Sequence, residues 1–202
     1  MFTGIVQELG TVVAVERKQG LTRLRIHAPH TAPSVFPGES LAISGVCLTV
    51  VRTDRGILAF EIIPETVRLT NLGKLSVGAR VNVERSLSLS DRLNGHLVLG
   101  HIDGVGKVTR YTRASGEVAV SIRVDRTLRN FLVPKGPIAV DGVSLTVGPQ
   151  RSADTFSVFL IPETIHKTTL GVRRVGDLVN IEIDYFAKLI AQLLRTRVGQ
   201  HA

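Results

Sequence analysis

Tryptophan is absent and tyrosine occurs twice, so aromatic residues make up only 4% of the 202-residue chain. Platforms that bind single-stranded nucleic acid stack bases on exposed aromatic side chains, and little material for one is present. The net charge of +8 attracts anions of any kind, but the 25 lysines and arginines are scattered rather than gathered in one block. No nucleic-acid partner is expected. The single cysteine, Cys47, excludes an intrachain disulfide framework and suits a reducing compartment. No apolar run is long enough to cross a bilayer, and the start MFTGIVQELG lacks a basic region followed by a long apolar core. No membrane partner and no signal peptide are expected, and the expected location is the cytoplasm. The nucleotide-phosphate patterns G-x-G-x-x-G after a strand and G-x-x-x-x-G-K-[ST] are missing. His96 and His101 stand five apart near Asp103, a spacing that fits no strong metal-ligand pattern, so no metal is expected.

What the chain does contain is a copy of itself. IIPETVRLTNLG at 62–73 returns as LIPETIHKTTLG at 160–171, and over 62–84 against 160–182 twelve of 23 positions are identical at an offset of 98. Unrelated segments share roughly one or two by chance, so this is an internal repeat. SGVCLTV at 44–50 matches DGVSLTV at 141–147, and TGIVQELGTVVAV at 3–15 matches LGHIDGVGKVTRY at 99–111, in the same order. Two units follow, 1–97 and 98–185, each large enough to bury a core.

Each unit is a set of short strands. TVVAVE, TRLRIHA and RVNVE are β-branched or alternate with period two, and Pro37–Gly38, Gly56, Gly73 and Gly78 punctuate them. The expected class is mainly β: two similar small antiparallel barrels, plus a C-terminal helix. After each IPE, Thr66 or Thr164 is expected to cap a short helical turn. In 186–202, Phe186, Leu189, Ile190, Leu193 and Leu194 fall at helical spacing. That stripe has no counterpart in the first unit. It packs on its own barrel or joins chains.

In GVCLTV alternate residues face opposite sides, so Val46, Leu48 and Val50 pack while Cys47 and Thr49 face away. In the second copy Ser144 and Thr146 take those places. Proline ends the strand at each IPET, which leaves Glu65 with Thr66, and Glu163 with Thr164, at a strand end where ligand hydroxyls are often held. Two pockets for two molecules of similar shape are implied. They are not equivalent, because His101 stands where the first copy has Ile5, and Ser144 where it has Cys47. A lone cysteine such as Cys47 is by itself most often a small buried hydrophobe.

MFTGIVQ, GVCLTV, the two IPET strings, TNLG and TTLG, GHLVLGHIDGVG and GVSLTVG together resemble the riboflavin synthase family, α-chain type, over essentially the whole chain. The resemblance implies that two molecules of 6,7-dimethyl-8-ribityllumazine exchange a four-carbon unit, giving riboflavin and 5-amino-6-ribitylaminouracil. It implies no metal or organic cofactor. It implies a homotrimer joined through C-terminal helices, a site between the N-barrel of one chain and the C-barrel of another, and lumazine synthase as an associated protein. Carried over residue by residue, the N-barrel pocket is Gly4, Ile5 and Val6, Ser40, Cys47, Leu48 and Thr49, and Glu61, Ile62, Ile63, Pro64, Glu65 and Thr66. The C-barrel pocket is Gly100, His101 and Ile102, Lys135, Ser144, Leu145 and Thr146, and Phe159, Leu160, Ile161, Pro162, Glu163 and Thr164. Phe2, Cys47, His96, His101, Asp141, Ser144 and Asp184 match positions tied to activity. The resemblance points to His101 as proton shuttle, with Ser144 and Thr146 placing or activating a nucleophile. The competing reading is a lumazine-binding antenna protein that binds without turnover. Retention of IPET and [CS]LT in both copies favours the enzyme.

Overall fold

The computed structural model describes residues 1–114, 116–149, 152 and 154–199. The first unit contains β1 (Glu8–Lys18), β2 (Leu21–His27), β3 (Ser40–Ile43), β4 (Val46–Asp54), β5 (Ile57–Ile62), helix α1 (Pro64–Leu69) and β6 (Arg80–Arg85). The six strands close into an antiparallel barrel in the order β1-β2-β5-β4-β3-β6. Period-two alternation puts Val12, Leu24, Ile26, Leu41, Val50 and Phe60 inside it.

The second unit repeats the plan with β7 (Gly104–Ala114), β8 (Glu117–Arg123), helix α2 (Arg126–Arg129), β9 (Pro137–Val140), β10 (Val143–Thr146), β11 (Thr155–Leu160), helix α3 (Pro162–Lys167) and β12 (Leu178–Ile183). Its order, β10-β9-β12-β7-β8-β11, is the same circle opened at one place. Where β4 pairs with β5 along a ladder, the described residues of the second unit span the seam with a backbone bond from Gly148 N to Ser157 O at 2.7 Å. The expected pair of barrels is therefore one closed barrel and one six-stranded sheet of the same plan. The duplication extends to irregularities. β1 bulges between Val12 and Ala14, and β7 between Val108 and Arg110. Such bulges bend a long strand around a barrel.

The helical turns do not start as expected. Pro64 and Pro162 open α1 and α3 at the first helical position, with Ile63 and Ile161 as uncapped N-cap residues. Thr66 and Thr164 lie inside the turn, and their carbonyls accept from the hydroxyls of Thr70 and Thr168 at 2.6 and 2.7 Å. Thr70 and Thr168 then cap the next 3-10 turn through Leu72 N and Leu170 N.

The two units meet through a buried polar seam with approximate two-fold symmetry. Asn71 N donates to Asn180 Oδ1 at 2.7 Å, and Thr169 N donates to Asn82 Oδ1 at 2.8 Å. Asn180 Nδ2 donates to Ser44 O and Asn82 Nδ2 to Asp141 O, both at 2.8 Å. Gly45 and Gly142 touch on this axis, where a Cβ on either would lie 2.6 Å from the other's amide nitrogen. The symmetry breaks at Asp141. It replaces Ser44, is fully buried, and is balanced by Arg173, which replaces Leu75 and reaches Oδ2 at 2.6 Å.

Helix α4 (Tyr185–Gly199) follows β12 directly. Ala187 packs on the second core, and Lys188 pairs with Asp103 at 2.9 Å. The predicted stripe points away from the barrel. Phe186, Ile190, Leu193 and Leu194 are each more than half exposed. Among the described residues no helix is long and apolar enough to cross a membrane.

Candidate active site

The segment entering each unit is tied to its own last strand but also lies across a strand of the other unit. Gly4 O accepts from Ser144 N at 2.8 Å, and Gly100 O accepts from Cys47 N at 3.0 Å. Phe2 and Val98, at the heads of these two straps, exchange both backbone hydrogen bonds. Both strap glycines have positive φ, +76° and +82°, and a Cβ on either would stand within 2.6 Å of a side chain on the opposing strand. Glycine is required there by conformation and by space together.

This crossing corrects the grouping of the expected pockets. Gly100, His101 and Ile102 line a cavity of about 230 Å³ with Cys47, Glu65, Thr66 and Thr70 of the first unit. Ile102 packs on the first core. Gly4, Ile5 and Val6 belong with Ser144, and Val6 is buried in the second core. The local strings are alike in the two copies, so either docking satisfied the sequence.

The second cluster forms around Ser144. Its Oγ lies 2.7 Å from His96 Nδ1, and His96 N donates to Thr3 O at 3.2 Å. His96, not His101, is thus the imidazole beside Ser144. Burial holds the His96 pKa below the ordinary histidine value, while the negative charge of Asp184 pulls the other way. Asp184 itself accepts from Phe186 N at the start of α4. His101 is exposed above the Cys47 cavity.

The remaining expected residues divide by burial. Thr49, Thr146, Ile63, Pro64, Ile161 and Pro162 are exposed, as is Phe159 on β11; Ser40 and Leu145 are half-buried. Lys135 is exposed in a left-handed turn, φ +64°, with its amide on Val147 O. Glu163 is exposed and pairs with Lys167 at 2.6 Å. Glu61 instead pairs with Arg23 on the neighbouring strand at 2.9 Å. Leu48, Ile62 and Leu160 point into the cores, so only their backbone is free to meet a ligand. Phe2 and Asp141 are fully buried and cannot touch a substrate. Phe2 packs against Cys47, Ala42, Val98 and Ala139, and Asp141 is the hub of the seam.

The lumazine-binding domain family matches the chain twice, over residues 3–86 and 99–184. The riboflavin synthase of Mycobacterium tuberculosis (strain H37Rv) is 41% identical over 199 residues, covering 97% of this chain and 99% of that protein. That of Bacillus subtilis (strain 168) is 38% identical, covering 96% and 90%, and that of Escherichia coli (strain K12) is 40% identical, covering 91% and 87%. The chain belongs to the riboflavin synthase family. Solved structures of the same fold include LumP complexed with 6,7-dimethyl-8-(1'-D-ribityl) lumazine (TM-score 0.82, 27% identity, 90% of this chain and 98% of that one). LumP complexed with riboflavin aligns with TM-score 0.83 at 29% identity, over 91% and 99%.

Two residues important to this riboflavin synthase fold were not among the sequence candidates. Glu84 Oε1 accepts from Thr3 N and Thr3 Oγ1 at 2.7 Å, and its Oε2 accepts from Gly4 N at 3.1 Å. Glu182 Oε1 accepts from Leu99 N at 2.7 Å, and its Oε2 from Gly100 N at 3.0 Å. These carboxylates hold the two straps. The available signal was VNVE against VNIE, an acid retained in both copies directly after a core residue.

Proposed function

We propose that the chain catalyses the dismutation of two molecules of 6,7-dimethyl-8-ribityllumazine to riboflavin and 5-amino-6-ribitylaminouracil, the last step of riboflavin biosynthesis, as a cytoplasmic homotrimer. Membership of the riboflavin synthase family is the observation that carries this reading. The duplicated, non-equivalent clusters support it. The four carbons lost by one molecule are those gained by the other, so one fold used twice supplies donor and acceptor sites.

The Cys47 cavity contains no residue of the Ser144 cluster and, at about 230 Å³, is smaller than the roughly 300–1,000 Å³ of an enclosed small-molecule site. A second chain that brings its Ser144 cluster to this opening would complete the enclosure and set the two heterocycles face to face. The exposed stripe of α4 is the surface for such assembly. Orientation then does much of the work, because two held reactants replace a rare encounter in solution.

The proton steps fall to the histidines. Neutral His96, accepting the Ser144 hydroxyl at Nδ1, makes that oxygen a base or nucleophile toward the lumazine, and Asp184 stabilises the imidazolium that forms. His101, above Cys47, moves a proton on the second molecule. Conversion of the dimethyl ribityl lumazine to riboflavin by the purified protein, followed by absorbance, tests the reading. Stable binding without conversion would assign the antenna role instead.

A further inference from the structure

Glu84 and Glu182 occupy equivalent positions, but their surroundings differ. Arg85 N donates to Gln7 in the first unit; at the equivalent place Ile183 N donates to the carboxylate of Asp103. The second unit therefore carries two acids close together, Glu182 and Asp103. The cation that answers them, Lys188, comes from α4, a helix the first unit lacks. Glu182 is only 3% exposed, and both of its oxygens are committed to the backbone amides of Leu99 and Gly100, immediately before His101.

We infer that Glu182 is the positioning residue for His101, and that Lys188 of α4 controls its hold on the strap, so that the docking of α4 is communicated to the Cys47 cavity. This rests on the proposed riboflavin synthase reading for its catalytic consequence. An ionised carboxylate accepts from both amides at once. A protonated one keeps a single good acceptor, which frees one amide, loosens residues 99–101 and uncovers Cys47. Burial pushes the Glu182 carboxyl up to about 7, against the two amides and the positive charge of Lys188, while Asp103 adds to the rise. The hold is thus poised near neutral pH. Asp103 and Lys188 are the charged groups that face Glu182, and they act with opposite sign.

Three variants of the full chain test this: Lys188→Met, Asp103→Asn and Glu182→Gln. Two readouts apply across pH 6 to 9, riboflavin formation and the alkylation rate of Cys47, the only thiol in the chain. Removing Lys188 raises the Glu182 pKa, so the acid limb of kcat moves to higher pH. Activity at pH 7 falls about fivefold for the first unit the limb moves and about tenfold for each further unit, and it recovers at high pH. Removing Asp103 moves the limb the other way, while the asparagine oxygen still accepts from Ile183 N. Glu182→Gln abolishes the limb and lowers kcat about 10²-fold at every pH, the scale of an ångström-level misplacement. Compared with wild type at the same pH, Cys47 alkylation is faster in Lys188→Met near pH 7, and the difference vanishes at high pH. A general loss of stability would move both charge variants in the same direction. Limbs and alkylation rates unchanged from wild type in both charge variants, or shifts of the same sign, would overturn the inference. If wild-type protein forms no riboflavin but Cys47 reactivity shifts as described, the positioning stands and the enzymatic reading fails.

Discussion

The amide of Cys47 donates to the carbonyl of Gly100 across 3.0 Å, and a Cβ on Gly100 would stand 2.5 Å from the Cβ of Cys47. The strap that carries His101 is therefore seated on β4 without room for a methyl group. Gly100→Ala is expected to destabilise the fold by roughly 2–4 kcal/mol, combining a left-handed backbone with overpacking, and to displace His101. Gly20→Ala is the control. Its φ is +80°, but nothing lies within 4 Å of the added carbon, so only the conformational cost of about 1–2 kcal/mol remains. Thermal unfolding and turnover of the two variants give the comparison.

The strands, the two-fold duplication and the outward face of Cys47, Thr49, Ser144 and Thr146 were all legible in the sequence. Period-two alternation and near-identical strings encode them locally. The crossing of the straps was not. Residues 3–6 and 99–102 carry similar patterns, and which β-strand each one meets is decided by the Phe2–Val98 pairing and the Glu84 and Glu182 anchors, all of them tertiary relations. Asp141 shows the converse limit. Its acid is evident, but only the replacement of Leu75 by Arg173 explains how the fold tolerates it in the seam.

The Ser144–His96 pair gives a pH prediction. Ser144→Ala is expected to lower the rate by about 10² or more, with lumazine affinity little changed. In wild type, below the limb near pH 7 that Glu182 sets, activity falls a second time as His96 takes up a proton, at a pH below the ordinary histidine range because burial disfavours the imidazolium. Asp184→Asn removes the charge that favours the imidazolium, so this limb moves to still lower pH. Initial-rate pH profiles of wild type and Asp184→Asn, read in the same buffers, decide the sign.

The seam gives a double-mutant cycle. Arg173→Leu leaves the Asp141 carboxylate buried without its cation, and Asp141→Ser leaves Arg173 and Asn71 short of an acceptor. Either single change is expected to cost about 3–5 kcal/mol. The double change recreates the Ser44 and Leu75 pair of the first unit, and it is expected to recover on the order of 2 kcal/mol or more relative to additivity. Urea unfolding of the four proteins measures the coupling.

The exposed stripe of α4 gives an assembly prediction. Truncation before Phe186, or Leu189→Lys with Leu193→Lys, is expected to convert the proposed trimer to monomers and to remove most turnover, because the second wall proposed for the Cys47 cavity is then lost. Sedimentation velocity beside the rate assay tests both parts. A trimer that survives the truncation would reject the role given to α4.

The most direct measurement is the stoichiometry of conversion. The purified protein is incubated with 6,7-dimethyl-8-ribityllumazine as the sole substrate, and lumazine, riboflavin and 5-amino-6-ribitylaminouracil are quantified together by chromatography. The two-pocket account predicts that two lumazines disappear for each riboflavin formed, with an equal amount of the diaminouracil. Lumazine that stays bound and unconverted at every protein concentration, or riboflavin formed without the diaminouracil, would contradict it.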